Sequence, residues 1–338
     1  MLPSAKFVVA YTIGALVLAL WLKSESISKN KKPLPSLRVN PSETYTENFY
    51  PNGKYLEFPM GTMRYWLFGN PNGKRVVMVH GISTGSPTYD KLARYMADAG
   101  HNVLVFDLWG RGYSDAPPTY YDESLYTTQL ALLLQKVGWD SDVDVVGVSL
   151  GGAIATSFTA FYPEIVNRLI LIAPAGLMQA DSDIPLYGRI FRLPIVNKIV
   201  IHPYLKPVAM WGITQFYKAA RPKALGPNKN PESIRIADAA FSQFHKHSGF
   251  FHAFLSTVID YPLFDLHERY ERVGQRDINR KILVIWGTDD VTVPFRHSQL
   301  LKKLIPQSKL SVYEDAAHDV LISRYPQVNL EIKEFLAE

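Results

Sequence analysis

The sequence predicts an α/β protein: a mostly parallel eight-stranded sheet with crossover helices, a helical cap inserted into it, and an N-terminal transmembrane helix ahead of it. Three observations predict this. Short apolar or alternating runs recur along the chain, helical stretches closed by glycine separate them, and the interval from 176 to 264 carries no strand signal. With 338 residues, 47% of them hydrophobic and 12% aromatic, the chain can bury a large core, which excludes a disordered or fibrous protein. The 36 basic residues against 31 acidic ones leave a net charge of only +5, and no element concentrates it as a nucleic-acid-binding surface would. The lack of cysteine excludes a disulfide scaffold, a thiol nucleophile and an iron-sulfur site.

From the N-terminus, Phe7 to Leu22 is free of charge and bracketed by Lys6 and Lys23. At 1.5 Å per residue it covers roughly 24 Å, short of a hydrocarbon core of about 30 Å, so as a membrane anchor it relies on snorkelling lysines or a thin bilayer. A cleaved signal peptide is the competing reading, disfavoured by the bulky Trp21-Leu22 pair where small residues would mark cleavage. Lys23, Lys29, Lys31, Lys32 and Arg38 follow the run, which predicts a cytoplasmic body on a single-pass protein. Residues 1–23 are thus read as anchor, and residues 24–50, rich in Pro, Ser and Lys, as a tether.

The body, residues 51–175 and 265–338, opens with two runs, Lys54 to Phe58 and Thr62 to Phe68, bracketing Pro59-Met60-Gly61, which predicts a hairpin. Buried strands are predicted at Arg75 to Val79, Val103 to Asp107, Val143 to Val148, Arg168 to Ile172, Ile282 to Trp286 and Leu310 to Tyr313. Helices at Tyr89 to Ala99 and Glu123 to Val137 stop at Gly100 and Gly138, residues suited to a left-handed cap. The cap, residues 176–264, is basic and aromatic: between 176 and 250 there are ten Lys or Arg against Asp181, Asp183, Glu232 and Asp238. That surplus fits either a surface that meets anionic headgroups or a solvated face over a small helical core.

Chemistry concentrates at Gly147-Val148-Ser149-Leu150-Gly151-Gly152, between an apolar strand and a helical run. A serine on so tight a turn needs flanking residues without Cβ, and its hydroxyl then projects at a helix N-terminus whose free N–H groups face a developing negative charge. Three more segments lie at the ends of predicted strands: His80-Gly81-Ile82, Asp107-Leu108-Trp109-Gly110-Arg111-Gly112-Tyr113-Ser114, and Trp286-Gly287-Thr288-Asp289-Asp290-Val291-Thr292-Val293-Pro294 late in the chain.

Together these segments resemble the α/β-hydrolase family over residues 50–338. The resemblance implies a serine hydrolase with Ser149 as nucleophile and the N–H groups of Ile82 and Leu150 as oxyanion donors. The Asp107 segment is similar to the family's D-x-x-G-x-G-x-S turn, implying that it shapes the loop beside the site. The family's G-x-x-D spacing from Gly287 selects Asp290 as triad acid, with the adjacent Asp289 as the alternative. Of nine histidines, His318 is selected as base because it follows the last strand and completes the order Ser, Asp, His. His80 is expected to hold the oxyanion turn, and the others to be surface or core residues. No metal or organic cofactor is implied.

Within the family, the serine at 149 disfavours the branches that use an Asp nucleophile, and no histidine is followed by H-x-x-x-x-D as in acyltransferase relatives. Carbon-carbon bond hydrolases resemble the chain at Gly110 to Asp115, but they carry Trp after the base, where Asp319 stands here. What remains resembles the membrane-anchored monoacylglycerol lipase branch, implying hydrolysis of a single-chain lipid ester, with the cap aromatics Phe191, Trp211, Phe216, Phe250, Phe251 and Phe254 suited to an acyl chain or to a simple core. The alternatives are a carbon-carbon bond hydrolase and a non-catalytic receptor or interaction module on the same fold.

Overall fold

A computed structural model describes residues 32–183 and 230–338, together with 208, 211, 212, 214 and 215. Eight strands form one sheet: β1 (Gly53–Phe58), β2 (Gly61–Gly69), β3 (Arg75–Val79), β4 (Asn102–Phe106), β5 (Val143–Val148), β6 (Val166–Ile172), β7 (Ile282–Gly287) and β8 (Lys309–Tyr313). Their spatial order is β1-β2-β4-β3-β5-β6-β7-β8. The β1–β2 hairpin and the β2–β4 pair are antiparallel and every later pair is parallel. All eight predicted strands are present, with β6 beginning two residues earlier than expected, at Val166.

Both faces of the sheet are buried, which is why the central strands read as continuous apolar runs rather than alternations. Val77, Val79, Leu104, Phe106, Val145, Leu171, Val284 and Trp286 belong to one core, and their immediate neighbours Val76, Met78, Val103, Val105, Val146, Ile172 and Leu283 to the other. The chain covers the second face with α1 (Asp90–Asp98), whose Leu92, Ala93 and Met96 enter that core. It covers the first with α2 (Glu123–Val137) and α3 (Leu150–Phe161). Asp122 caps α2 by accepting the Leu125 N–H at 2.9 Å, and the helix ends at Gly138 with φ 74°, the left-handed stop its sequence predicts.

After β6 the chain leaves the sheet. The cap contributes a short turn α4 (Ala180–Asp183), then α5 (Pro231–Lys246) and α6 (Phe250–Asp260). The body resumes with α7 (His267–Arg276), α8 (Arg296–Leu304), the single turn α9 (Val320–Ser323) and α10 (Tyr325–Ala337). Phe191 and Phe216 of the basic cap, and the apolar run Phe7 to Leu22, lie outside the described residues. Among the described residues no helix is long and apolar enough to cross a membrane.

The tether expected over 24–50 does not extend to residue 50. From Leu34 onward the segment is a packed strap: Leu34 bridges Ala116, the Leu37 N–H donates to Gly112 O at 3.0 Å, and Leu37, Tyr45 and Tyr50 are buried. The Tyr45 hydroxyl donates to Asp107 Oδ2 at 2.6 Å and accepts company from an edge-on Tyr113 ring, while the Tyr50 hydroxyl donates to Ser86 O at 3.0 Å. Pro, Ser and Lys gave the segment a linker's composition, but isolated aromatic and leucine side chains fix it to the body.

Connections run both ways from β3: β3 leads through α1 to β4 on one side, and β4 returns through α2 to β5 on the other. A crevice outside the carboxyl ends of β3 and β5 is therefore the topological switch point where such sheets bind ligands. The Tyr45→Phe variant, which deletes only the buried hydroxyl that the strap offers Asp107, should lose about 1–3 kcal/mol in urea unfolding. Unchanged stability would show that the strap is not anchored there.

Candidate active site

Ser149 lies between β5 and α3 with φ 56° and ψ −120°, a left-handed backbone that a residue with a side chain adopts only under constraint. The glycines explain how the turn is reached. A Cβ on Gly147 would lie 2.3 Å from Gly151 O, one on Gly151 would lie 1.9 Å from Val79 O, and one on Gly152 would lie 2.6 Å from Pro174 Cβ. The first turn of α3 is thus pressed against the end of β3. Hydrogen bonds hold it from the other side, with Ser149 N donating to Ile172 O at 2.9 Å and Ala175 N donating to Ser149 O at 3.0 Å.

The loop after β3 passes directly over the serine, since a Cβ on Gly81 would stand 3.4 Å from Ser149 Cβ. Among the described residues, neither the Ile82 nor the Leu150 N–H donates to a backbone carbonyl outside a helix or strand, so both remain available. His80 sets the peptide between Gly81 and Ile82. It is wholly buried, its Nε2 accepts the Leu108 N–H at 2.9 Å, and its Nδ1–H therefore donates to Gly81 O at 2.7 Å. Burial lowers its pKa to about 3, so it stays neutral in this one tautomer. The expected structural role of His80 in this turn is what the geometry provides.

Asp107 ties the neighbouring loops together. Its carboxylate accepts the Tyr45 hydroxyl, the Ser86 N–H at 3.0 Å, the Ser86 hydroxyl at 2.7 Å and the Tyr113 N–H at 2.8 Å. Gly112, at φ 53°, leaves room for it: a Cβ there would fall 2.1 Å from Asp107 Oδ2. Burial raises the Asp107 pKa, against the lowering effect of these donors.

Across the rim, the loops after β7 and β8 bring Asp290 and His318 together. Asp290 Oδ1 accepts the N–H groups of Thr292 and Val293, each at 2.9 Å, which leaves Oδ2 to accept His318 Nδ1–H at 2.7 Å. Asp289 is exposed and its N–H donates to Ala316 O, so the carboxylate that meets the imidazole is that of Asp290. The Asp290 side chain is fully covered and that of His318 is 21% exposed. Burial opposes the imidazolium, but the Asp290 carboxylate, by its charge and its hydrogen bond, and the nearby Asp319 outweigh it and raise the His318 pKa. With Nδ1 engaged, Nε2 is the nitrogen free to take a proton. Among the described residues Ser149 Oγ and His318 share no hydrogen bond; the two sit on loops at the same rim, after β5 and β8.

Three of the other histidines are held in the packing of the body and cap. His247 is buried with its Nε2 on Ser114 O at 3.0 Å, and burial lowers its pKa to about 4. His297 Nε2 meets Asp183 at 2.9 Å, and the His252 ring stacks edge-on against Tyr121. His202 lies outside the described residues. The sequence did not single out Gln129, whose buried amide accepts the Trp109 N–H and donates to Asp107 O, nor Gln243 of the cap. Neither is part of a recognisable motif; only their burial reveals them.

A serine on a constrained strand-to-helix turn and an imidazole held by a carboxylate across the same rim are the arrangement of an α/β-hydrolase. The chain belongs to the Hydrolase_4 family, described as serine aminopeptidase S33, which matches residues 70–324. It is 27% identical to Lipase 1 of Psychrobacter immobilis over 81% of this chain and 80% of that one. It is 26% identical to the monoacylglycerol lipase ABHD6 of Mus musculus over 81% of this chain and 79% of that one. At 26% over 77% and 86%, it is also similar to the 2-hydroxy-6-oxo-6-phenylhexa-2,4-dienoate hydrolase of Burkholderia cepacia. The crystal structure of a bromoperoxidase from Bacillus anthracis superposes with a TM-score of 0.68 at 20% identity, covering 85% of this chain and all of that one, a likeness of fold alone.

By NMR, His318 should titrate above the ordinary histidine value of about 6.5. The Asp290→Asn variant, which removes the negative charge, should bring that pKa down, whereas His80 should show no titration across the neutral range. A His318 pKa indifferent to Asp290→Asn would contradict the pairing.

Proposed function

We propose that Ser149, His318 and Asp290 form a catalytic triad that hydrolyses carboxylic esters through an acyl-enzyme, and that the substrate is a lipid ester with one acyl chain, such as a monoacylglycerol. The observation that carries this reading is the His318–Asp290 hydrogen bond at 2.7 Å, on the same rim as a serine with the backbone geometry of a nucleophile turn. Esterase and lipase chemistry is supported by the family and by the lipase relatives; the monoacylglycerol assignment draws on the relative of that name and on the apolar N-terminal run.

In this mechanism the Ser149 hydroxyl proton passes to His318 Nε2 as Oγ attacks the ester carbonyl carbon. This transfer takes place once substrate binding brings Oγ and Nε2 within hydrogen-bond reach, since sites of this kind tighten in the Michaelis complex. The carbonyl oxygen becomes an oxyanion facing the N–H groups of Ile82 and Leu150, each worth on the order of 100- to 1000-fold in rate. Collapse breaks the ester C–O bond and the leaving alkoxide takes the proton from Nε2. Water then repeats the sequence: His318 accepts its proton, hydroxide adds to the acyl carbon, and Ser149 leaves with the proton restored, releasing the carboxylic acid. Asp290 stays ionised throughout and holds the tautomer. No step calls on a cofactor.

Attachment to a membrane through residues 7–22, with the basic cap toward anionic headgroups, is part of the same proposal and suits a substrate that resides in a bilayer. Alkaline extraction that leaves the full chain with the membrane supports the anchor, and release into the supernatant opposes it.

A phosphonate probe for active-site serines should label the protein and fail to label Ser149→Ala. A folded wild-type protein that stays unlabelled would favour the receptor reading. Among monoacylglycerols, short p-nitrophenyl esters and vinylogous diketones, the monoacylglycerols should be turned over best; preference for the diketones would assign the protein to carbon-carbon bond hydrolysis. Activity requires neutral His318, and its raised pKa places the loss of activity, on acidification, at a higher pH than an ordinary histidine would give. In the Asp290→Asn variant kcat should fall by about 10⁴-fold.

A further inference from the structure

The loop from His80 to Ser86 is held in an uncommon way: three consecutive carbonyls each receive a hydrogen bond from a side chain. His80 Nδ1–H donates to Gly81 O at 2.7 Å, Arg111 Nε–H to Ile82 O at 3.1 Å, and Gln243 Nε2–H to Ser83 O at 2.8 Å. In a trans peptide the carbonyl and the next residue's N–H point in opposite directions, so a clamp on the carbonyl side fixes the direction of the N–H. Clamping Gly81 O aims the Ile82 N–H, and the clamps on the two following carbonyls keep that peptide from rotating.

One of these three clamps comes from the cap, and a second reaches it, although Arg111 is also held within the body by Trp109 O and the Tyr126 hydroxyl. Gln243 belongs to α5 and is completely buried. Its Oε1 accepts the Gly112 N–H at 2.6 Å while its Nε2 serves Ser83, so both ends of the amide are committed and its orientation is fixed. Arg111 is buried as well, and its far end donates to Thr257 Oγ1 of α6 at 2.8 Å. The other end of α5 touches the loop that carries His318, where the Ser233 hydroxyl donates to Asp319 Oδ2 at 2.5 Å. Ten residues of helix separate Ser233 from Gln243, about 15 Å. One rigid rod therefore contacts the oxyanion loop at one end and the base loop at the other. Near its start, Arg235 pins it to α1 through Asp90 at 2.8 Å.

We propose that Gln243 is a positioning residue for the reaction, and that α5 acts as a brace that sets the oxyanion loop relative to the His318 loop, so that the oxyanion hole is complete only while the cap is seated. The inference rests on the reading of Ser149 as nucleophile. It assigns to the cap a part in catalysis separate from binding the substrate chain, because the Gln243 contacts are to backbone atoms of the body.

The test is Gln243→Met, which keeps the length and volume of the side chain and removes both hydrogen bonds. With active sites counted by phosphonate titration, kcat on a p-nitrophenyl ester should fall by about ten- to a hundredfold, a fraction of what losing a whole oxyanion donor costs. KM should change little. A trifluoromethyl ketone inhibitor, whose adduct with serine places an oxyanion in the hole, should weaken by the same factor as kcat/KM, whereas the matching non-fluorinated ketone should bind as before. A purely structural role would lower the melting temperature and leave kcat per titrated site and the inhibitor ratio unchanged, and that result overturns the proposal. Should Gln243→Met not fold, Gln243→Asn, too short to reach both partners, carries the same comparison. A wild-type protein that neither hydrolyses esters nor takes the phosphonate would sink the serine-hydrolase reading instead, a result distinguishable from an active wild type matched by its variant.

Discussion

The close approach of two backbones at the rim of the sheet is the constraint on which the site depends. The start of α3 lies so near the end of β3 that a single methyl on Gly151 would fall 1.9 Å from Val79 O, far inside van der Waals contact. That approach forces Ser149 into a left-handed conformation, presents its side chain beyond the strand ends and brings the loop after β3 over it. Burial of both sheet faces supplies the rigidity, since β3 and β5 are neighbours in the middle of eight strands and neither can recede without opening both cores.

Around that contact the protein uses burial in two opposite ways. His80 and His318 have the same side chain and lie near the same rim, yet the first is kept neutral by removal from water and the second is made more basic by a carboxylate. One can therefore serve as a fixed hydrogen-bond relay, with a donor and an acceptor that never exchange, while the other is free to change its proton. The difference comes from their partners: His80 faces a backbone N–H and a carbonyl, and His318 faces Asp290, whose other oxygen is already saturated by two N–H groups.

Most of the scaffold was legible in the sequence because its signals are local. A strand buried on both faces is a run of Val, Ile and Leu, a helix stop is a glycine, and the turn that holds Ser149 must have glycines at fixed distances. The choice of Asp290 over Asp289 was legible only by spacing, and the geometry that separates them, one carboxylate turned inward and one exposed, arises from the Val291 to Val293 turn. The strap and the brace were not legible, for a different reason. Tyr45 meets Asp107 across 62 residues, Gln243 meets Gly112 across 131 and Ser83 across 160, and no periodicity encodes such a meeting. A lone tyrosine among prolines and lysines looks like linker, and a lone glutamine on an amphipathic helix looks like solvent-facing polarity, until the fold places them.

The strap also bears on how the catalytic body can be obtained without its apolar leader. A fragment begun at residue 51, where sequence composition places the start of the globular part, would lose the tyrosine hydroxyl from Asp107 and uncover Trp66, Phe68 and Tyr113, the rings against which Tyr45 and Tyr50 pack. Such a truncate would carry an exposed aromatic scar beside a buried acid short of one of its four donors, and would self-associate. Cutting ahead of Leu34 preserves the seam, so the border of the packed unit falls nearly twenty positions upstream of the first strand.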